Sequence, residues 1–401
     1  MKKVLFLVNT MGQAGAETAL IALFQEMLRL QEYDLSLYAL IPRGEMFDRV
    51  PKQVHIVNRR YSNGSVLSAA GRFMIFRRIA RAFFYRLTGF RMLPYLIRNY
   101  RLQKSRGKVL YDKLFWRLLA EGTPALPDAY DLAVAYIEGA SVYYLADHVQ
   151  AKQKASFLHI DYAAAGYHPM MDQGCYDRID RIFVVSAEAG KRFLDVYPQY
   201  ADKVQLFRNI VDRHAVLAKA EAGGGFPDDF TGTRLVSVGR LAYQKGYDIA
   251  VQAIAKVVAD GYAARWYVIG EGPERKALEL LIIKYGMQEH FLLLGAKDNP
   301  YPYILGADLY VQPSRFEGWG IAVEEALILQ KPVLAANCTG IAEQIETGKN
   351  GILFPLSVEQ LARQLEWLMD HPKELRALAA GTLPQNGQPT DGLSRLLSMI
   401  G

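Results

Sequence analysis

The sequence predicts an α/β protein made of two Rossmann-like, doubly wound domains. Strand-like apolar runs alternate with helical patterns along the chain, two similar halves are visible, and a stretch rich in glycine and alanine separates them. Such alternation is typical of parallel sheets covered by helices. The length of 401 residues suits two domains that each have a core of their own.

The apolar periodicity locates the strands of both halves. In the first half, a strand at residues 4–8 leads into a helix at about 16–30. A short helix at 393–400 is expected to end the chain. The remaining strands are predicted at residues 34–40, 55–58, 131–136, 154–160 and 181–186 in the first half, and at 234–239, 264–270, 290–295, 309–314 and 331–337 in the second.

Residues 213–233 combine Gly, Ala and Asp without a strand or helix pattern, which is typical of a linker. We therefore expect an N-terminal domain at 1–212, which carries an insertion at about 59–120, and a C-terminal domain at 234–401.

Composition indicates a folded chain in a reducing compartment. Hydrophobic residues make up 51% of the sequence and charged residues 22%, as in soluble globular proteins. The two cysteines, Cys175 and Cys338, form no CxxC pair, which argues against a disulfide framework or structural zinc. No uncharged apolar run reaches the roughly 18 residues that span a bilayer. A cytoplasmic protein is expected.

The positive charge is concentrated in one segment. Residues 59–117 contain fifteen Lys or Arg and one acid, Asp112, whereas the rest of the chain has 32 basic and 40 acidic residues. Bulky apolar residues are interleaved with these cations, as in FRRIARAFFYRL.

The loop and helix after the strand at 309–314 carry the strongest local pattern. Glu317, Gly318 and Gly320 lie in the loop, and Glu325 lies in the first turns of the helix. Ligands bind beyond the carboxyl ends of parallel strands, and a helix N-terminus offers unpaired N–H groups to phosphate or sugar oxygens. Acids at a helix start also complement its dipole, which is our interpretation of Glu324.

A second loop places two cations after a strand. Arg240 and Lys245 follow the strand at 234–239 and precede a helix. Cations in this position neutralise the charge that develops on a diphosphate leaving group. Solvated loop charges are the alternative interpretation, which the nearby glutamate pattern disfavours.

Together these motifs resemble the GT-B glycosyltransferases, specifically family four of the retaining enzymes (glycosyl transferases group 1) of the bacterial cell-surface polysaccharide type. The family's E-G-F-G-L-x-x-x-E-A stands here as residues 317–326, and Trp319 replaces the commoner Phe. The resemblance implies that Glu325 bonds the nucleotide ribose and that Glu317 faces the donor sugar. It also implies that amides from Gly318 to Ile321, through Gly320, hold the sugar and diphosphate.

Further matches extend the resemblance over about 235–370. The family's G-R-L-x-x-x-K-G matches residues 239–246, and VIGEGPER, with Gly270 and Gly272, resembles the sequence beside the nucleotide base. The resemblance also assigns a base-side loop to Gly295 and implies two domains that face each other across a cleft. Residues 304–314 and 339–354 resemble the segments before and after the glutamate motif.

The first half supplies weaker candidates. Gly15 opens the first helix in a loop that resembles the family's G-G-x-E, whose amides contact the diphosphate. His159 ends a strand; a lone histidine is more often structural, but family members have one here that contacts the donor sugar or the reacting centre. Asp161 and Glu138 are candidates for binding the acceptor.

The resemblance predicts transfer of a sugar from a UDP-linked donor, or less favourably a GDP-linked one, to a hydroxyl with retention. The acceptor would be lipid-linked or a polysaccharide of the cell envelope. No metal or other cofactor is expected, because Asp-x-Asp is missing and the seven histidines have no ligand spacing. A nucleotide-sugar 2-epimerase and a non-catalytic sugar-nucleotide-binding partner subunit are the alternatives. A nicotinamide dehydrogenase is disfavoured because residues 9–17 supply no GxGxxG.

The basic segment predicts contact with an anionic membrane through residues of about 66–104, since its pattern resembles an interfacial amphipathic helix. The protein would then lie peripherally at the inner face of the cell membrane. The alternatives are a helical insertion whose arginines face solvent and, less favourably, a nucleic-acid site, for which no recognition motif is present.

Overall fold

The structure is a computed structural model that describes residues 1–66, 68–84, 87–105, 107, 109–379 and 390–400. These residues divide into two compact units, each with its own sheet. Unit 1 contains residues 1–210 and 390–400, and unit 2 contains residues 211–379.

Unit 1 has a parallel sheet of seven described strands in the order β3-β2-β1-β4-β5-β6-β7. The order reverses between β1 and β4, which are hydrogen-bonded neighbours. The strands are β1 Lys2–Val8, β2 Tyr33–Ala39, β3 His55–Ile56, β4 Ala129–Ala135, β5 Gln150–Leu158, β6 Arg181–Val184 and β7 Val204–Leu206. The helices are α1 Gly15–Arg29, α2 Ala69–Phe84, α3 Thr88–Arg91, α4 Leu93–Ser105, α5 Tyr111–Gly122, α6 Ala140–His148, α7 Pro169–Asp172, α8 Ala187–Val196 and, at the end of the chain, Thr390–Ser398.

Unit 2 has six described parallel strands in the order β10-β9-β8-β11-β12-β13, with the reversal between β8 and β11. The strands are β8 Thr233–Val238, β9 Ala264–Ile269, β10 Phe291–Leu293, β11 Leu309–Gln312, β12 Val333–Ala336 and β13 Gly351–Phe354. The helices are α9 Arg213–Glu221, α10 Tyr247–Ala259, α11 Arg275–Lys284, α12 Tyr301–Gly306, α13 Ile321–Ile328, α14 Val358–Asp370 and α15 Pro372–Ala379; Thr390–Ser398 is then α16.

Helices cover both sheets, so the central strands are buried on both faces. Residues 4–8 of β1 and the whole of β11 and β12 are buried. This explains why the strands could be predicted from continuous apolar runs rather than from alternation. The predicted doubly wound α/β fold is confirmed, and every predicted strand is present.

The two strands that the sequence did not predict, β7 and β13, lie at the edges of their sheets. Both contain half-buried positions in place of a fully apolar run. An edge strand has one neighbour and less cover, so its sequence carries a weaker signal.

The structure differs from the sequence-based division in two places. Residues 213–221, expected in the linker, form α9 of unit 2, which the Asp212 side chain caps by accepting from the Ala215 N–H at 3.0 Å. Residues 390–400, expected in the C-terminal domain, belong to unit 1. Leu396 of α16 is fully buried in the core of unit 1, and Arg395 donates to the Leu206 carbonyl at 3.2 Å.

The basic insertion folds into helices α2 to α5. Arg78 and Arg81 of α2 are half-buried and lie near Tyr38, so they are not simply solvated. By contrast, Phe73 and Phe76 of the same helix are 65% and 66% exposed. None of the described helices is long and apolar enough to cross a membrane.

Candidate active site

The predicted donor-site residues of unit 2 follow β8 and β11, the two strands at which the strand order reverses. The loop after β8 carries Arg240 and Lys245, and the loop after β11 carries Glu317. Crevices at such reversal points are where open α/β sheets bind ligands.

Glu317 is buried, and both of its oxygens are occupied. Oε1 lies 2.6 Å from Lys245 Nζ and accepts from the Ser314 hydroxyl at 2.6 Å. The Gln312 amide also reaches Oε1, at 3.3 Å, and the Gln244 amide donates to Oε2 at 3.2 Å. A carboxylate held by four donors is fixed in position and is a poor nucleophile.

Hydrogen bonds connect the loop after β8 with the loop after β11. Arg315 donates to both carboxylate oxygens of Asp248 at 2.8 and 2.7 Å, and to the Tyr243 carbonyl at 2.7 Å. Its own N–H donates to the Gln244 carbonyl at 2.7 Å, while the Gln244 amide donates to the Phe316 carbonyl at 2.9 Å. These contacts set the position of Lys245 relative to Glu317.

Glu325 is 7% exposed and accepts a hydrogen bond from the Tyr301 hydroxyl at 2.8 Å. Burial raises the pKa of its carboxyl group to about 7, because the charged form is poorly solvated. The Tyr301 hydroxyl and Lys219 act in the opposite direction, and Glu324 adds to the rise.

Helix α13 starts at Ile321 without a side-chain cap. Its N-cap is Gly320, which has a φ of +63°, a left-handed conformation that glycine adopts without strain. The first N–H groups of the helix therefore have no side-chain acceptor. Trp319 is buried, and its indole N–H donates to Glu324 at 2.6 Å. Glu324 thus has a role that the sequence did not indicate.

The predicted glycines of the base-side loops also meet at this edge of the sheet. A Cβ atom on Gly270 would lie 2.0 Å from the Gly239 carbonyl oxygen, so only glycine allows this close approach. The Gly270 N–H donates to the Gly295 carbonyl at 2.9 Å, and Gly272 packs against the Leu241 backbone. Gly318 is buried in the β11 loop, and Arg240 is exposed.

In unit 1, two of the predicted residues are in contact. The N–H of His159 donates to Glu138 Oε2 at 3.1 Å. Asn9, the residue after β1, joins this group by donating to the Glu138 carbonyl at 2.8 Å and accepting from the Ser141 N–H at 2.9 Å. Glu138 therefore supports the strand end that carries His159. Gly15 is the exposed first residue of α1.

The imidazole of His159 packs against two aromatic rings, with its centre 4.7 Å from that of Tyr136 and 5.7 Å from that of Phe157. Burial lowers its pKa to about 3, with the Tyr136 carbonyl acting in the opposite direction. The imidazole is therefore neutral at physiological pH. Asp161 is buried and accepts from the Ala164 N–H at 3.0 Å, as in a turn.

Several supporting residues were not predicted from the sequence. Gln312 and Ser314 sit beside the predicted Glu317, and Tyr301 lies 24 residues from the Glu325 that it contacts. Gln312 belongs to a buried strand, where a polar side chain is itself a signal, since buried polar groups are normally paired. Nothing in the local pattern of Tyr301 indicates its partner. In the described ranges, no group of three or more His, Cys, Asp or Glu could hold a metal ion.

Residues 229–382 match the sequence model of the family described as glycosyl transferases group 1. This part of the chain is therefore similar to the group 1 glycosyltransferases. The matched residues contain both loops of the site, with Lys245, Glu317 and Glu325.

Two curated relatives from Streptomyces kanamyceticus match parts of the chain. Alpha-D-kanosaminyltransferase is 30% identical over 150 residues, which are 37% of this chain and 39% of the relative. The 2-deoxystreptamine glucosyltransferase is 31% identical over 208 residues, or 48% of this chain and 51% of the relative. The chain thus spans about half of the length of these relatives or less.

Solved structures show a likeness in fold that extends beyond residues 229–382 to the whole chain. Anabaena HepE was solved with UDP and glucose. Its superposition covers 100% of this chain and 99% of the HepE chain, with a TM-score of 0.67 and 16% sequence identity. The superposition of TarM of S. aureus covers 100% of this chain and 99% of the TarM chain, with a TM-score of 0.66 and 13% sequence identity. The fold is the GT-B fold that the sequence predicts.

Proposed function

We propose that this protein transfers a sugar from a nucleotide-sugar donor to an acceptor hydroxyl, with retention at the anomeric carbon. The contact that carries the proposal is the 2.6 Å pair between Lys245 and Glu317. It lies at the reversal point of the unit 2 sheet, where the uncapped start of α13 also follows β11. A cation, a carboxylate and free helix N–H groups are what a sugar linked to a diphosphate requires.

Lys245 and Arg240 would stabilise the departing diphosphate, together with the amides of Gly318 to Ile321. The diphosphate would take the acceptor proton on the face that it leaves, which gives retention. Glu325 would accept hydrogen bonds from the ribose hydroxyls. Glu317 would face the donor sugar and accept from its hydroxyls through Oε2, which has a single donor, Gln244, whereas three donors hold Oε1.

Gly270, Gly272 and Gly295 would line the part of the donor site that holds the nucleotide base. Trp319 would belong to the loop after β11 that holds the donor sugar. Gly15 would supply a backbone contact to the diphosphate from unit 1. His159, neutral because of its burial, would contact the donor sugar near the reacting carbon. We favour UDP over GDP as the nucleotide of the donor. HepE, which has the same fold, was solved with UDP and glucose, and this supports the choice.

The transfer is proposed to need no metal ion, because the sequence lacks the Asp-x-Asp that binds metal and diphosphate in the other major transferase fold. The acceptor is proposed to be lipid-linked or a polysaccharide, in cell-envelope glycan synthesis. Its support is the basic insertion, whose exposed aromatic residues would bring the enzyme to the cytoplasmic face of an anionic membrane.

Thermal-shift screening against UDP, GDP, ADP and their sugars tests the donor site. We expect UDP-sugars to raise the melting temperature most, and we expect Glu325→Ala to remove the shift and the turnover. Product analysis then follows the reaction: release of nucleotide diphosphate with a new α-linked glycoside from an α-linked donor supports the proposal.

Three results would contradict the proposal. An epimerised sugar nucleotide would identify a 2-epimerase, and binding without turnover under any acceptor would identify a partner subunit. Full activity of Glu325→Ala would refute the assignment of the ribose contact.

A further inference from the structure

The loop after β12, residues 337–350, packs against the loop of unit 2 that carries Glu317. Gly340 has a φ of +80°, and a Cβ atom there would lie 2.1 Å from the Gly318 carbonyl oxygen and 2.9 Å from the Trp319 nitrogen. A residue with a side chain would therefore be both strained and in collision at this position. The peptide unit between Gly318 and Trp319 lies directly on the backbone of the loop after β12.

Gln344 is the buried side chain of the loop after β12 that reaches this contact. Its amide donates to the Trp319 carbonyl and, at 3.3 Å, to the Gly340 carbonyl. A Cβ atom on Gly320 would lie 3.3 Å from Gln344 Nε2, so the amide also adjoins the N-cap of α13. The Gln344 backbone is itself held, because the buried Asn350 donates to its carbonyl at 3.0 Å.

Only the donor end of the Gln344 amide is used. Its Oε1 is shielded from solvent and accepts no hydrogen bond from any residue that the structure describes. A buried acceptor without a partner is costly to desolvate, so an apolar side chain would suit stability better at this position. The presence of an amide is therefore explained by the carbonyls that its donor end holds.

The Trp319 carbonyl determines where the next N–H group points. The Trp319 C=O and the Gly320 N–H belong to one planar trans peptide unit, in which they point in opposite directions. Because the carbonyl faces Gln344, the Gly320 N–H faces away from it. Among the described residues, none accepts from this N–H, which adjoins the uncapped start of α13.

We propose that Gln344 is a positioning residue of the donor site, which fixes the peptide unit between Trp319 and Gly320 so that the Gly320 N–H faces the donor diphosphate. An amide that is already oriented needs no reorganisation when negative charge develops on the leaving group. This role rests on the proposed function for the identity of the ligand. It goes beyond that function by giving the loop after β12 a part in donor binding.

One NMR signal reports on this peptide unit alone. The sequence has four tryptophans, of which only Trp319 precedes a glycine, so labelling tryptophan carbonyls with ¹³C and glycine with ¹⁵N gives one carbonyl–amide correlation. Gln344→Met keeps the length of the side chain and removes its donor. Since a hydrogen bond deshields a carbonyl carbon, we expect this variant to move the Trp319 carbonyl resonance upfield.

Gln344→Glu adds a rescue that depends on pH. Burial raises the pKa of a carboxyl group, and the protonated form can donate to the Trp319 carbonyl, whereas the carboxylate cannot. With the wild type as the reference at each pH, the carbonyl resonance of Gln344→Glu should return toward the wild-type position as the pH falls. That of Gln344→Met should not return.

NMR titration with UDP and with uridine measures the consequence for binding. UDP carries the diphosphate and uridine does not. Gln344→Met should therefore raise the Kd for UDP about tenfold, the effect of one lost hydrogen bond to a charged group, and leave the Kd for uridine unchanged. Gln364→Met is the matched control, since Gln364 is half-buried in α14 and outside the site, and it should change neither Kd.

Thermal melts verify that each variant is folded. The proposal is overturned by a carbonyl resonance that is equal in the wild type and in folded Gln344→Met, by an unchanged Kd for UDP, or by an equal loss of affinity for UDP and uridine. The last result would show a general loosening of unit 2. Failure of the proposed function would be distinct, because the wild type would then give the expected carbonyl signal and bind no nucleotide.

Discussion

Glu325 has a protonation state that changes close to neutral pH, because burial raises its pKa to about 7. A carboxylate accepts hydrogen bonds from ribose hydroxyls more strongly than a carboxylic acid does. The affinity for UDP-glucose should therefore increase as the pH rises. Between about pH 6 and about pH 8 the ionised fraction of such a group rises about tenfold, so Kd for UDP-glucose should fall by up to that factor. Calorimetry across this range measures the change.

Tyr301→Phe gives the sharper form of this test. The Tyr301 hydroxyl opposes the rise in the pKa of Glu325, so its removal should move the midpoint of the binding curve to higher pH. Glu325→Gln cannot titrate and should flatten the curve. UDP-glucose is suitable because its diphosphate is fully ionised over the range. A midpoint that is equal in the wild type and Tyr301→Phe would show that another group titrates.

The roles of single residues were only partly predictable from the sequence. Glu317 and Glu325 could be selected because two glutamates and two glycines share one short loop and helix start. Tyr301 could not, since it donates to Glu325, which lies 24 residues away in sequence and is brought near by packing. Glu138 was predicted as an acceptor ligand; its contact with the His159 N–H shows that it also has a structural task.

At the scale of elements, hydrogen bonds hold the loops after β8 and β11 in a fixed arrangement. Arg315→Ala would remove the paired hydrogen bonds to Asp248 and the contact with the Tyr243 carbonyl. Hydrogen bonds to charged groups contribute about 1.5–3 kcal/mol each, but Asp248 is 44% exposed, so we expect a total loss of about 1–2 kcal/mol. The activity should fall further, because Lys245 and Glu317 lose their fixed spacing. Thermal unfolding and steady-state kinetics measure the two effects.

Arg192→Ala is the matched control, because Arg192 pairs with Glu188 on the exposed side of α8, at 3.0 Å. We expect little change in either quantity, as for most surface ion pairs. Equal activity of Arg315→Ala and Arg192→Ala would show that the two loops do not depend on this contact.

Which elements the sequence could predict follows from burial. The central strands were located because both of their faces are covered. The four edge strands are less buried, and two of them, β7 and β13, were missed. Helix α9 was missed for a different reason. Its alanines favour a helix, but the glycines and aspartates that follow made the whole stretch resemble a linker.

At the scale of the whole molecule, the insertion combines exposed aromatic residues with an excess of positive charge. Phe73 and Phe76 lie beside the exposed Arg72 and Arg77 on α2, and residues 59–105 contain no acid. The protein should float with vesicles of equal parts phosphatidylglycerol and phosphatidylcholine, but not with phosphatidylcholine alone. Each cation near the surface contributes about 1 kcal/mol, so Arg72→Gln with Arg77→Gln should weaken binding about thirtyfold.

Replacing the exposed Lys276 and Lys373 of unit 2 by Gln changes the net charge equally and serves as the control. It should leave flotation unchanged. Phe73→Ser with Phe76→Ser should also weaken binding, which distinguishes insertion of aromatic residues from attraction of charge alone. Equal flotation of the arginine pair variant and the wild type would contradict the membrane proposal.

The return of α16 to unit 1 has a consequence for how such proteins diversify. Since unit 1 contains both residues 1–210 and residues 390–400, the chain enters and leaves unit 2 once each, and unit 2 is a single continuous cassette. A recombination event with breakpoints on either side of that cassette would exchange unit 2 while it preserved unit 1 and its C-terminal helix. A truncation before residue 390, by contrast, would remove Leu396 from the core of the other unit.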